Sequence, residues 1–222
     1  MMRSVSAFDS FSSQANLLIR VFNTTDSAAN SSDCFPVKFP SPRCNFRSAW
    51  AACLEQEASA SSAPTACTIA LPVHSSISMD TGNLCSLVLN ASSSIAVEGN
   101  NATVAPAYSG YSRLFYYHNN NSRGKTSRNN AALSLRNVTL QGFGNWQDSS
   151  TDGGAIHIHG NCSVSLTNVT IADGGGRNGA AIYMTNNSIG FTVDGCTFVN
   201  CQAFNGGVFY SNIVASRTGA IH

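Results

Sequence analysis

Charge is scarce in this chain. Of 222 residues, 12 are Lys or Arg and 11 are Asp or Glu, giving a formal net charge of +1. A partner gripped through its phosphates needs a far more basic surface, so a nucleic-acid partner is not expected. No apolar run approaches the roughly 18 residues of a helical membrane span, so no transmembrane segment is expected. The stretch from Met1 to Asp9 lacks the apolar run of a signal peptide. The eight cysteines contain no C-x-x-C pair, which argues against a zinc knuckle or a thioredoxin-like motif. A P-loop, a dinucleotide fingerprint and a Ser-His-Asp set are also missing. Gly174, Gly175 and Gly176 read as a turn, because neither a strand-Gly-helix context nor a Lys-Ser follows. Between residues 132 and 212 no window carries sustained helical periodicity.

What is present is self-similarity. Leu135, Leu166 and Val193 line up, as do Val138, Val169 and Cys196, then Thr139, Thr170 and Thr197, then Leu140, Ile171 and Phe198. A second pattern aligns Gly153, Gly179 and Gly206, followed by Ile156, Ile182 and Phe209. Each recurs about every 26 to 31 residues, the mark of a repeat architecture. The segments are short, alternating, rich in Val, Ile, Thr and aromatics, and bounded by Gly, Asn and Asp, which is strand chemistry. Parallel strands without intervening helices imply a coil that stacks on its own copy. Asn137, Asn168 and Gly195 fall in one column, as a corner with positive φ would select. The predicted fold class is all-β: a right-handed, single-stranded parallel β-helix.

The stretch from Cys196 to Tyr210 resembles repeats of the polymorphic outer membrane protein type, which pair a G-G-A-I element with an F-x-x-N element. Gly153-Gly154-Ala155-Ile156 matches the first in full; the second is approximate, because Asn200 stands two places after Phe198, not three. More broadly, residues 94–104 and 113–115 are similar to the opening coils of pectin-lyase-like right-handed β-helices. The resemblance spans about two thirds of the chain and speaks to fold more than to activity.

Ahead of the coils, residues 1–46 show no sustained period, and Pro36, Pro40 and Pro42 oppose helix. This is an expected irregular leader. Phe46, Trp50, Cys53, Leu54 and Glu57 lie near helical spacing, so a short helix is predicted over 47–62. In pectin-lyase-like folds such a helix caps the first coil, shielding an edge that invites aggregation. The coils are assigned to 67–222. The chain stops at Thr218-Gly219-Ala220-Ile221-His222 within what reads as another coil, so truncation at the C-terminus is the expectation.

Nine sequons, at Asn23, Asn30, Asn90, Asn101, Asn120, Asn137, Asn161, Asn168 and Asn186, point to a secretory route if the source is a eukaryote. Cys34, Cys44, Cys53, Cys67, Cys85, Cys162, Cys196 and Cys201 are read as disulfide formers. Cys34 with Cys44 and Cys53 with Cys67 are plausible pairs, though spacing does not fix connectivity. The predicted location is extracellular or at the cell surface.

Chemistry-bearing residues are few. Asp148 and Asp152, flanking the turn before Gly153, and Asp173, preceding the next Gly-rich turn, could form a calcium loop or a carboxylate pair, but Asp beside Gly is ordinary turn chemistry. The acid clusters used by polysaccharide lyases and hydrolases of the resembled class are missing. His157 and His159 alternate with Ile156 and Ile158 and so face outward, with His118 on the neighbouring coil as a third candidate ligand. Solvent-facing histidines are the better reading. No catalytic residue, metal or cofactor is therefore predicted. A column of Tyr116, His157, Tyr183 and Tyr210 is predicted on one outer face, either as a structural ladder or as rings that stack on sugars. Arg113, Arg123, Lys125, Arg128 and Arg136 could attract an acidic glycan. The expected function is a non-catalytic adhesion or glycan-binding module, with an extracellular polysaccharide or glycoprotein as partner. The alternative is a polysaccharide lyase or glycoside hydrolase acting on a polyuronate or a similar polymer.

Overall fold

Strict alternation of apolar and small polar residues decides which side of each strand faces inward. In the computed structural model the described residues are 17–25, 34, 44–59, 66–79, 87–90, 93–107, 113–118, 131–144, 152–185 and 190–212. The elements in chain order are β1 (Leu17–Arg20), α1 (Phe46–Ser59), β2 (Cys67–Ala70), β3 (Ser76–Met79), β4 (Leu87–Val88), β5 (Ser94–Pro106), β6 (Phe115–His118), β7 (Ala131–Gln141), β8 (Ile156–His159), β9 (Cys162–Thr167), β10 (Thr170–Ala172), β11 (Gly175–Asn178), β12 (Ile182–Thr185), β13 (Gly190–Asp194), β14 (Thr197–Val199), β15 (Gln202–Asn205) and β16 (Phe209–Asn212).

Strands dominate and every ladder between them is parallel. A 9-stranded sheet follows the path β1-β2-β5-β7-β10-β14, with β3 on β5 and β9 between β7 and β13. A 5-stranded sheet runs β16-β12-β8-β6-β4, and β11 pairs with β15. The chain visits these surfaces in turn, once per sequence period, and each pass lies beside the one before.

Register places like over like. Ile95, Leu133 and Val164 are partners across β5, β7 and β9. Phe115, Ile156, Ile182 and Phe209 are partners across β6, β8, β12 and β16. These side chains, with Leu135, Leu140, Leu166 and Ile171, form one continuous core. Burying a Leu, Ile or Phe in this way stabilises the fold by about 2 kcal/mol each.

Three corners carry polar ladders. Asn137 (φ 51°), Asn168 (φ 53°) and Gly195 (φ 60°) make the left-handed corner that the sequence column predicts. Asn137 Nδ2 donates to Glu98 Oε1 at 2.8 Å, and Asn168 Nδ2 donates to Asn137 Oδ1 at 3.3 Å. Gln141 Nε2 and Asn200 Nδ2 both donate to the Asp173 carboxylate, at 3.1 and 3.2 Å. At the third corner, Asn178 Nδ2 donates to Asp152 Oδ1 at 2.7 Å, and Asn205 Nδ2 donates to Asn178 Oδ1 at 2.9 Å.

The helix begins one residue before the predicted start and ends at Ser59, earlier than expected. Asn45 caps it, its Oδ1 accepting from Ser48 N at 2.8 Å. Phe46, Ala49, Trp50, Ala52 and Cys53 form its buried face. Trp50 Nε1 donates to Val88 O at 2.9 Å, meeting an edge carbonyl of the 5-stranded sheet. The first edge of the 9-stranded sheet is taken by a strand instead: β1 lies in the stretch read as irregular and pairs with β2. Disulfides join Cys34 to Cys44 and Cys53 to Cys67, the second tying α1 to β2. Cys162, Cys196 and Cys201, also read as disulfide formers, are free thiols here. Cys162 belongs to the core, and Cys196 and Cys201 pack against it. Burial pushes the Cys162 thiol up to about 12, which keeps it unreactive. Cys85 lies outside the described residues.

The glycine run at 174–176 is not a simple turn: Gly175 and Gly176 belong to β11, in register with Gln202 and Ala203. Main chain packs on main chain here. A Cβ on Gly144 would overlap the carbonyl oxygen of Gly175.

At the far end β13, β14, β15 and β16 pair on one side only among the described residues. Phe191 and Phe198 are half-buried there, where Val164 and Ile171, their partners one pass earlier, are 2% and 1% exposed.

Gly179 has φ +64° and a Cβ there would meet Tyr210 N at 2.9 Å and the Ile182 carbonyl more closely still. Gly179→Ala is therefore expected to lower unfolding stability by more than about 2 kcal/mol. Gly190 meets nothing nearer than Ser163 Cβ at 3.6 Å, so Gly190→Ala is expected to change stability by less than about 0.5 kcal/mol. Urea titrations of the two variants check the contrast.

Candidate functional site

The outer side of the 5-stranded sheet carries a column of four rings. Tyr116, His157, Tyr183 and Tyr210 are register partners on β6, β8, β12 and β16, and all are half-buried. Their inward neighbours, Phe115, Ile156 and Ile182, are buried, so strand alternation alone turns the rings outward. Ring centroids are 5.1 Å apart from Tyr116 to His157, 4.7 Å from His157 to Tyr183 and 5.3 Å from Tyr183 to Tyr210. The last pair is stacked at 11°, while His157 tilts by 47° and 41° to its neighbours. Val88 precedes Tyr116 in the same column and is 47% exposed.

One carbonyl organises the column's centre. Asp152 O accepts from Arg113 Nε at 2.7 Å and from His157 Nδ1 at 3.0 Å. A carbonyl only accepts, so Nδ1 carries the His157 proton and Nε2 presents a lone pair. Burial, with Arg113 alongside, lowers His157 to about 4, so the ring is neutral at pH 7. The Arg113 guanidinium lies 5.8 Å from the Tyr116 ring centroid. Burial also pushes the Tyr183 phenol up, so it remains a hydrogen-bond donor.

A second column runs beside the first. His118 and His159 are register partners with rings stacked at 4.5 Å and 17°. His159 Nδ1 shares a hydrogen bond with Thr185 Oγ1 at 2.9 Å, and burial with the neighbouring His118 lowers its pKa. His118 thus sits beside His159 as the alternation predicts. Among the described residues no group of three or more His, Cys, Asp or Glu is placed to hold a metal ion.

The acids take structural places. Asp152 and Asp173 belong to different corner ladders, each accepting from amide side chains, and they do not form a carboxylate pair. Asp148 lies outside the described residues. Of the basic residues, Arg136 lies in the middle of β7 in the 9-stranded sheet, opposite Glu98, while Arg113 precedes β6 in the 5-stranded sheet. Arg123, Lys125 and Arg128 lie outside the described residues. A shallow furrow of about 200 Å³ crosses β5, β7, β9 and β13, but it is lined by Ser, Ala, Gly and Thr together with Ile95, Leu133 and Val164, with no ionisable group. Sequence reasoning missed the role of Asp152, whose carbonyl fixes His157 while its carboxylate anchors a corner. The signal was available, since Asp152, Asn178 and Asn205 each precede an aligned glycine.

Folding lowers the affinity of the His157 imidazole for a proton. The unfolded chain, with an ordinary value of 6.5, takes up a proton that the folded chain refuses until about 4. Stability is therefore full above pH 6.5 and falls as the pH drops through this window. His159 adds the same sign. His157→Gln leaves an amide N–H for Asp152 O and is expected to flatten the fall. Urea midpoints of both proteins between pH 7 and pH 4 measure it.

Comparison with known proteins finds no protein-family model, no curated protein and no solved structure that matches significantly.

Proposed function

We propose that this chain is a right-handed, single-stranded parallel β-helix of the pectin-lyase-like kind, bearing G-G-A-I repeats of the polymorphic outer membrane protein type. It would serve at an extracellular or cell-surface location as a non-catalytic adhesion or glycan-contact module. The observation that carries the reading is the outward column of Tyr116, His157, Tyr183 and Tyr210, held in register on adjacent parallel strands. Aromatic rings on a flat face offer apolar area with a polar tip, which suits the C–H face and hydroxyl rim of a sugar. Supporting the wider reading are the once-per-period return of the chain to the same parallel sheets and the left-handed Asn corner. Two disulfides fit an oxidising compartment. No described helix is long and apolar enough to cross a membrane. With Asp152 and Asp173 engaged in corner ladders, the residues favour binding over bond cleavage.

A polysaccharide array tests this. Binding is expected to weaken about tenfold or more in Tyr183→Ala combined with Tyr210→Ala, since each ring contact contributes about 1 kcal/mol. Binding undiminished in the double variant would remove the aromatic-face reading. Release of reducing ends or unsaturated products from a polyuronate would replace it with a lyase or hydrolase.

A further inference from the structure

We propose that the ligand of the ring column is an uncharged, linear, β-1,4-linked pyranose chain lying along the stacking direction, with one sugar per strand. This rests on the glycan-contact reading above and names the class of glycan. Three observations carry it.

The first is pitch. Successive ring centroids are 5.1, 4.7 and 5.3 Å apart, because each ring belongs to the next parallel strand. An equatorially linked 1,4-chain is fully extended and advances by nearly this distance per sugar. Chains with axial or 1,3 linkages coil, and they leave such a column after one or two residues. Successive sugars of the extended chain are flipped over, so both faces must suit a ring. All-equatorial pyranoses meet that condition, since axial C–H bonds line both faces.

The second is charge. No ionised side chain stands in the column. His157 is neutral, with its Nδ1 proton committed to Asp152 O. Arg113 bonds to the same carbonyl, and the Asp152 carboxylate of opposite sign lies on that residue. The local charges offset each other, and Arg136 belongs to the other sheet. Among the described residues nothing beside the column builds the positive field that a polyuronate would need.

The third is the polar rail beside the rings. The Nε2 lone pair of His157 accepts a sugar hydroxyl proton, and one step to the side the half-buried His159 ring is held in place by its Nδ1 hydrogen bond with the buried Thr185 hydroxyl. Hydroxyl groups project from the edges of an extended pyranose chain on which the rings stack.

The experiment is isothermal titration of the whole chain with β-1,4-linked gluco-, xylo- and N-acetylgluco-oligosaccharides, from disaccharide to hexasaccharide. A β-1,3-glucan oligomer and an oligogalacturonate serve as comparisons. Affinity is expected to rise with length up to the tetrasaccharide and then level off. It should change little between low and high salt. Tyr183→Ala should weaken it about three- to tenfold, and Tyr183→Phe, which keeps the ring and the fold, should retain most of it. Tighter binding of the oligogalacturonate, with affinity falling steeply in salt, overturns the uncharged-chain inference while leaving glycan contact intact. Preference for the β-1,3 oligomer overturns the extended-chain geometry. Absence of binding to every glycan overturns both this inference and the reading beneath it.

Discussion

Parallel pairing in constant register fixes what every side chain of this protein can touch. Within one pass a residue meets few long-range partners; across passes it meets its own equivalent, again and again. A core position becomes a column of Phe115, Ile156, Ile182 and Phe209, and the next residue outward becomes a column of rings. The same rule makes corners into amide ladders, because Asn137 and Asn168 hold equivalent places. Constancy breaks where Gly99, Asn100 and Asn101 occupy in β5 the place that Asn137 alone fills in β7. The corner widens there by the added residues, and both strands recover register at Ala102 and Val138.

What the sequence reveals follows from that rule. The strands with strong alternation, the Asn corner and the outward column all announce themselves by period. The elements that escape lack a side-chain pattern to read. β11 is Gly175-Gly176-Arg177-Asn178, a strand because main chain packs on main chain, and no hydrophobic period marks it. β3 alternates only through Ile77 and Met79, within serines. β1 precedes the repeat, so no equivalent residue elsewhere points to it. The site divides the same way: Tyr116, His157, Tyr183 and Tyr210 follow from alternation, whereas the Arg113–Asp152–His157 junction depends on a backbone carbonyl that no residue type encodes. That Arg113 and Arg136 stand at different sheets is likewise something residue type alone does not reveal.

That junction couples two features which otherwise run separately up the stack. Through its carboxylate, Asp152 belongs to a corner; through its carbonyl, it orients the imidazole at the centre of the exposed column. A chain that positions a surface ring from its corner needs no dedicated loop to do so. The tautomer of His157 is then a property of the scaffold, set before any ligand arrives. The free cysteines fit the same economy, since Cys162 is a small apolar filler in a core column.

The third corner also sets a clock. Asn178 and Asn205 each stand directly before a glycine, at Gly179 and Gly206, and an unhindered following residue is what lets a main-chain nitrogen attack an asparagine amide and expel ammonia. Each such event converts a donor into an acceptor. With Asp152 already at the foot of the ladder, hydrolysis at Asn178 would set carboxylate against carboxylate where a 2.7 Å hydrogen bond now stands. The hydrogen bonds that knit successive passes together thus also shield the amides whose chemical ageing would drive those passes apart.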